Sequence, residues 1–368
     1  MRKTWRIWVG FLISVGFLYF AFRGQDFGKI RDSLAHANYW YLLPAIGLYF
    51  LGVYVRAFRW SVLLRPVKTL HAREVFPVTV VGFMANNILP LRTGEIVRAY
   101  VINRRYNVSK TASLATIAVE RLFDGLTMLA FMLAAATVVS FTSELKHLVI
   151  IAFIVFAGIL IGLSILTFGG NFRDRLMQIA LGPLPTPVAD RVERMAESFL
   201  SGLGVLTRKG DLALVASASA IAWLLEASMY WTIARGFGDP LAEKMGVAAS
   251  LLTTGVANLA TLIPSSPGYV GPFEAGVVLV VNGALGIDKS LALSYAVVVH
   301  AALYFPITLW GLIEWSRMHI SLRTMRDFEG DAEQSGTEAT PGVATTPALA
   351  TNPVSPRTSQ TREEHASN

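Results

Sequence analysis

Apolar runs separated by short charged stretches dominate the chain from Ile7 to Trp315, and hydrocarbon leaves such runs few options. Without water to satisfy backbone N–H and C=O groups, a spanning segment must be a helix or part of a closed barrel. About 20 apolar residues make a helix long enough to cross. The runs Ile7 to Phe22, Trp40 to Val55, Ala112 to Val139, Lys146 to Phe168, Leu212 to Ile233 and Leu291 to Trp315 reach or approach that length. They predict six full spans of an all-α polytopic membrane protein. Composition agrees: 53% of the chain is hydrophobic and 15% charged, against about 25% charged in an ordinary soluble domain. The basic start, Met1 to Arg6, leads into a long aromatic-rich run without an A-x-A site, which predicts an uncleaved first span.

Two further apolar segments cannot be straight helices. Val75 to Leu91 holds Pro77, Gly82, Asn86, Asn87 and Pro90, and a second arm, Glu95 to Arg105, follows a turn over Leu89 to Gly94. Met245 to Ile263 meets a proline- and glycine-rich turn, with Pro264, Pro267, Gly268 and Gly271, before Glu274 and the apolar arm to Leu285. Freed backbone groups and buried amides are tolerated at membrane depth only where they face protein or water. Each segment therefore predicts a re-entrant, broken helical hairpin. Thr93 is the expected N-cap of the first hairpin's second arm, with Glu95 placed favourably in its first turn.

Ionisable residues inside spans mark function by default. Glu120, Arg121 and Asp124 project from neighbouring sides of one helix, and three charges there require partners or a wet cavity. With Asn86, Arg92, Glu95, Arg98 and Glu274 they form the expected substrate-binding and translocation set. Arg56 and Arg59, at the end of the second apolar run with Trp60 as an anchor, are expected to meet lipid headgroups. Between Arg23 and Tyr39, Phe27, Ile30 and Leu34 outline a short interfacial helix. Val188, Val192, Met195, Phe199 and Leu203 outline an amphipathic helix in the polar segment 170–210.

The formal charge is +7, but Lys and Arg cluster between apolar runs rather than on one basic face, which points to anionic lipid and not to nucleic acid. If both hairpins dip in and return, the cations of Met1 to Arg6, Arg56 to Arg73, Arg92 to Lys110, Arg173 to Lys209 and Arg317 to Arg326 share one side; Arg23 to Arg31 departs from the pattern. That gives a multi-pass protein with both termini cytoplasmic. The hairpins would then enter from opposite sides, and broken segments in corresponding positions of two halves are the sequence pointer to an inverted repeat with a site near the midplane. The membrane domain covers 1–326; the Ala-, Thr- and Pro-rich tail, 327–368, is expected to be disordered. There is no cysteine, and six scattered histidines show no ligand spacing, so neither a metal nor another cofactor is expected.

Four motifs in order, Arg56-x-x-Arg59-Trp60, Asn86-x-x-x-Pro90-x-Arg92-x-Gly94-Glu95-x-x-Arg98, Glu120-Arg121-x-x-Asp124 and Pro264-x-x-Pro267-Gly268-x-x-Gly271-x-x-Glu274, together resemble the transmembrane region of lysylphosphatidylglycerol synthases and the flippase-like proteins related to it. The likeness spans Trp5 to Arg317, with Tyr269 where such loops often have a small residue. The resemblance implies a plasma-membrane protein of a prokaryote that translocates or handles polar or glycosylated lipids. Those synthases also carry a soluble aminoacyl-transfer domain after the membrane part. Here a tail with no apolar period follows Arg326, so aminoacyl transfer is not expected.

The leading function is movement of a polar, phosphate-bearing lipid, glycosylated and polyprenyl-linked lipids included, and the chain is not expected to be an enzyme. A non-catalytic membrane partner of a lipid-modifying or glycan-synthesis enzyme is the alternative. Two enzyme readings stay open: a lipid-linked transferase using Glu120 and Asp124, and an intramembrane hydrolase using Ser265 or Ser266 with His300, the latter without a G-x-S-x-G elbow. No P-loop is present, so uphill movement would need an ion gradient or a partner.

Overall fold

A computed structural model describes residues 12–17, 19, 23–89, 93–171, 175, 186–263 and 265–318. The described residues form helices joined by short turns, with no strand among them. Residues 12–17 are helical within the first apolar run. Then follow α1 (Phe27–His36), a single turn at Tyr39–Tyr41, α2 (Leu42–Leu64), α3 (Ala72–Ile88), α4 (Gly94–Tyr106), α5 (Lys110–Ala135) and α6 (Ser143–Phe168). After the polar segment come α7 (Thr186–Gly202), α8 (Lys209–Gly236), α9 (Val247–Ala260), α10 (Pro272–Val278) and α11 (Lys289–Arg317). The basic start, most of the first run, Pro90, Arg92, Pro264 and the expected tail lie outside the described residues.

Four stretches among the described residues are long and apolar enough to cross a membrane: Tyr39–Leu64, Ser143–Phe168, Lys209–Gly236 and Lys289–Arg317. They match four of the six expected spans. The expected span over Ala112 to Val139 is the 26-residue α5, which carries its charges inward. The chain is a multi-pass membrane protein. α6 shows what a lipid-facing helix looks like here: only Leu145, Ala152, Phe156 and Leu163 are buried, while Ile150, Phe153, Ile154 and Ile161 are exposed.

Both interrupted segments are broken hairpins. α3 ends at Ile88 and α4 starts at Gly94, and these arms pack on each other. A Cβ at Gly94 would run into the Gly82 carbonyl and the Asn86 side chain, so the arms cross where neither residue has one. Thr93 occupies the N-cap position of α4 but its hydroxyl has no partner; Asn86 reaches across the turn instead, its Oδ1 accepting from the Gly94 N–H at 2.8 Å. In the second hairpin α9 packs against α10, whose Glu274 accepts the Gly271 N–H at 2.7 Å and so caps its own helix. The outgoing arm widens to a π-type turn over Leu279–Ala284 before α11.

The hairpins approach the middle of α11 from its opposite ends. α3 runs antiparallel to α11, with Val80 and Met84 against Gly311, and Asn87 donating to Thr308 Oγ1 at 2.8 Å. The second hairpin starts from the other end, and its tip residue Gly268 meets His300 and Tyr304. The tips therefore come together at Tyr304, whose hydroxyl donates to the Asn87 carbonyl.

A buried ion network ties three spans and the first hairpin together. The second apolar run does not close at Val55; as α2 it continues to Leu64, which carries Arg56, Arg59 and Trp60 into the interior. Arg59, fully buried, donates to Asp124 Oδ1 and to Ser219 Oγ of α8, and lies 3.3 Å from Glu120. Arg98 of α4 grips Glu120 with both terminal nitrogens, at 3.0 and 2.9 Å, and its guanidinium stacks over Trp60 with 4.0 Å to the ring centre. Arg56 and Arg59 are thus both paired inside the bundle rather than exposed at its surface.

Removing one partner of a buried pair strands the other charge, whereas an exposed pair contributes little. Arg98→Met is expected to lower stability in detergent by about 3–5 kcal/mol, read as a shift in thermal unfolding, while partly exposed Arg121→Gln is expected to cost about 1 kcal/mol or less. Equal shifts would contradict the network. Gly94→Ala is expected to cost about 1–3 kcal/mol by overpacking the hairpin crossing, and an unchanged melting temperature would place the arms further apart.

Candidate functional site

Where the hairpin tips meet, the bundle leaves a cavity of about 130 Å³ lined by α2, α3, α5, α8, α9, α11 and the second tip. Its wall combines aromatic rings, among them Tyr49, Trp223, Phe273 and Tyr304, with the amides of Asn86, Asn87 and Asn258 and the ions Arg56, Arg121, Asp124 and Glu226. That mixture is unusual for a membrane interior, where polar side chains face bundle cavities rather than lipid.

Three of the eight residues expected to form the translocation set line this cavity: Asn86, Arg121 and Asp124. Asn86 holds the first hairpin's turn, as described above. Asp124 accepts from Arg59 and from the Trp223 indole N–H at 2.8 Å, and lies 3.4 Å from Arg121. Arg121 donates to Glu120 at 2.7 Å and keeps 34% of its side chain exposed, against 0% for Arg59 and 2% for Arg98. It is the cation of the network that remains open to a ligand.

The others stand further back. Arg98 and Glu120 are sealed in the ion network and touch only protein. Glu95 is half-buried at the start of α4, with one carboxylate oxygen lacking a hydrogen-bond partner, and is not among the cavity residues. Glu274 lies one residue behind the wall: its Oε1 is 2.5 Å from His300 Nδ1, and His300 lines the cavity. Arg92 is outside the described residues.

Several wall residues were absent from the expected set. Arg56 joins Glu226 of α8 at 2.6 Å and stacks over Trp223, 4.5 Å from the ring centre, while Asn258 Nδ2 donates to the other Glu226 oxygen at 2.9 Å. The signal for this pair was present in sequence as one cation and one anion in two different spans, each too costly to bury alone. His300, a lone histidine in an apolar helix, gave no comparable signal. Its partners lie 26 and 32 residues away.

The geometry also bears on the chemistry available. His300 bonds Glu274 and the Gly268 carbonyl, not Ser265 or Ser266, so no serine–histidine pair forms among the described residues. Glu120 and Asp124 are occupied by arginines, which takes away the free acidic pair a transferase would use. Across the network, Arg59, Arg98 and Arg121 share Glu120 and Asp124, Arg56 pairs with Glu226, and the Glu95 carboxylate acts on Arg121 from α4.

Comparison with known proteins places this architecture. A UPF0104 membrane protein of Methanothermobacter thermautotrophicus is 25% identical over 302 residues, covering 77% of this chain and 87% of the relative. Another UPF0104 membrane protein, from Methanocaldococcus jannaschii, is 24% identical over 228 residues, 62% of this chain and 91% of the relative. Glycosyltransferase AglD of Haloferax volcanii is 22% identical over 351 residues; the match takes in 88% of this chain but spans 56% of AglD. No solved structure matches the chain. The family described as the lysylphosphatidylglycerol synthase TM region matches residues 7–311, and with that match across the spans, both hairpins and the ion network, the chain belongs to this family.

Proposed function

We propose that this protein translocates a polar lipid carrying a phosphate, with the headgroup passing through the cavity between the hairpin tips while the acyl or prenyl chains stay in the bilayer. The observation that carries the reading is Arg121, a guanidinium that lines the cavity and keeps 34% of its side chain exposed while Arg59 and Arg98 are sealed. A guanidinium that its partners leave partly open to a cavity at membrane depth favours an anionic visitor. Phosphate is the anionic group that a membrane lipid most readily brings, and guanidinium matches its geometry.

The amides and aromatic rings around Arg121 would serve the rest of a headgroup. Asn87 and Asn258 offer polar contacts, and Tyr49, Tyr269 and Trp223 offer flat apolar faces. Such a wall suits a sugar beside a phosphate, in keeping with the likeness to a protein named as a glycosyltransferase. The opposed approach of two broken hairpins supports alternating access, with one hairpin moving against the other. We place the protein in the plasma membrane of a prokaryote with both termini in the cytoplasm, from the distribution of basic loops. The AglD likeness also supports a second reading, a non-catalytic membrane partner of a glycan-synthesis or lipid-modifying enzyme.

The test is transbilayer movement of labelled anionic, zwitterionic and polyprenyl-phosphate lipids in proteoliposomes. Wild type is expected to accelerate one phosphate-bearing class. Arg121→Gln is expected to slow that movement at least about tenfold, since a charge-assisted hydrogen bond to phosphate is worth about 1.5–3 kcal/mol. If wild type moves no lipid under any imposed gradient, the translocator reading fails and the partner reading takes its place. If instead a lipid is converted to a new species, the protein is an enzyme.

A further inference from the structure

The contact between His300 and its two neighbours fixes a proton count. The Gly268 carbonyl can only accept, so His300 Nε2, 2.8 Å away, must carry a hydrogen. On the other side of the ring, Nδ1 stands 2.5 Å from Glu274 Oε1. Two bare lone pairs repel at that distance, so the arrangement suits a second proton between them. Whichever atom holds it, histidine and glutamate together are neutral, one proton richer than a neutral imidazole beside a carboxylate. The geometry suits the protonated pair.

That proton also holds a moving part. Nε2 anchors Gly268, the tip of the second hairpin, to α11, and Glu274 Oε2 accepts the Gly271 N–H at the end of the same tip. Both glycines have positive φ, +75° and +101°, so their turn depends on these bonds for its position. When the proton leaves for cavity water, the pair becomes a monoanion and the imidazole keeps a single N–H. It can then donate to Glu274 or to Gly268, but not to both. The tip loses one of its anchors at the point where it meets the first hairpin at Asn87 and Tyr304.

The surroundings leave this pair as the group that changes. On the α2 side of the cavity are Tyr49 and Arg56, and on the α8 side Tyr230 and Glu226, with Arg56 and Glu226 already paired. Arg121 and Asp124 of α5 belong to the ion network. Tyr269 of the tip and Tyr304 of α11 are phenols in the same wall. α3 carries its titratable residues, Arg73 and Glu74, in its first turn at the far end, and on α1 Lys29 reaches Asp288 just before α11 starts. α10 contributes Glu274 itself. His300 keeps 12% of its side chain exposed and lines the cavity, so the pair is reached from the cavity side.

We propose that His300 and Glu274 form a proton-binding site that latches the second hairpin to α11, so that lipid movement is coupled to a proton gradient. The coupling part rests on the translocator reading above; the latch does not. Each turn of the cycle takes one proton onto the pair from the cavity on one side and returns it to water on the other, with no other bond made or broken.

Two measurements test it. In proteoliposomes carrying the lipid that wild type moves, a pH difference of one unit is expected to drive its steady-state ratio across the bilayer away from one, towards about tenfold for one proton per lipid. In purified protein, hydrogen exchange over residues 265–272, corrected for intrinsic rates, is expected to rise between pH 5.5 and 8 in wild type and to lose that dependence in both His300→Gln and Glu274→Gln. Lipid movement whose ratio stays at one under either polarity overturns the coupling. A pH dependence of tip exchange that survives in both variants overturns the latch. Should no lipid move at all, the translocator reading and with it the coupling fall, while the exchange result still decides the latch.

Discussion

Glu120 is the residue around which the bundle closes. It sits on α5 with almost no exposure, yet it receives Arg98 from the first hairpin, Arg59 from α2 and Arg121 from its own helix. A carboxylate at that depth is affordable only with such partners, and each partner is in turn costly without it. The mutual dependence gives the network its structural role: it fixes the register of α2, α4 and α5 more tightly than apolar side chains, which slide over one another with little penalty. Trp60 seals one side by stacking on Arg98, and Ser219 and Trp223 bring α8 into the same cluster.

With those elements fixed, the hairpins fall into place. Arg98 lies directly against Gly82 in the opposite arm, and Gly94 lies against the Gly82 carbonyl, so the first hairpin closes around the same guanidinium that grips Glu120. Its tip is thereby held at the level of Tyr304, where the second tip arrives from the other end of α11. The cavity is the space these two turns fail to fill. It is polar because the amides of Asn86, Asn87 and Asn258 line it and because Arg121 and Asp124 of the ion network border it.

The sequence made the large features legible. Apolar runs located four spans, and their interruptions located both hairpins, because proline, glycine and paired amides cannot be accommodated in lipid-facing helix. The charged triad on α5 announced itself by its cost. What pattern could not supply was partner choice. Arg56 and Arg59 look like cations at the end of a run because Trp40 to Val55 already has nearly the length of a span; only the third dimension shows α2 continuing to Leu64 with Glu226 and Asp124 waiting in other helices. Thr93 had the position of a cap, but Asn86, eight residues earlier, does the capping, since the turn folds its amide onto Gly94. The same gap in information hid the partners of His300, which are Glu274 and Gly268 and not the serines the sequence set beside it.

The two charged systems divide the work between them. The arginine-rich network is heavily coupled: changing the charge of a sealed member such as Arg59, Arg98 or Glu120 strands others, so it is suited to staying fixed. The His300 and Glu274 pair has two members and, on the proposal above, one shared proton. It touches the movable tip rather than the spans. A translocator needs both properties in one cavity: a fixed positive charge to receive an anionic headgroup, and a removable one to change which side of the cavity is held shut. Arg121 on α5 and His300 on α11 occupy the same wall with those two characters, and the hairpin tip lies between the first requirement and the second.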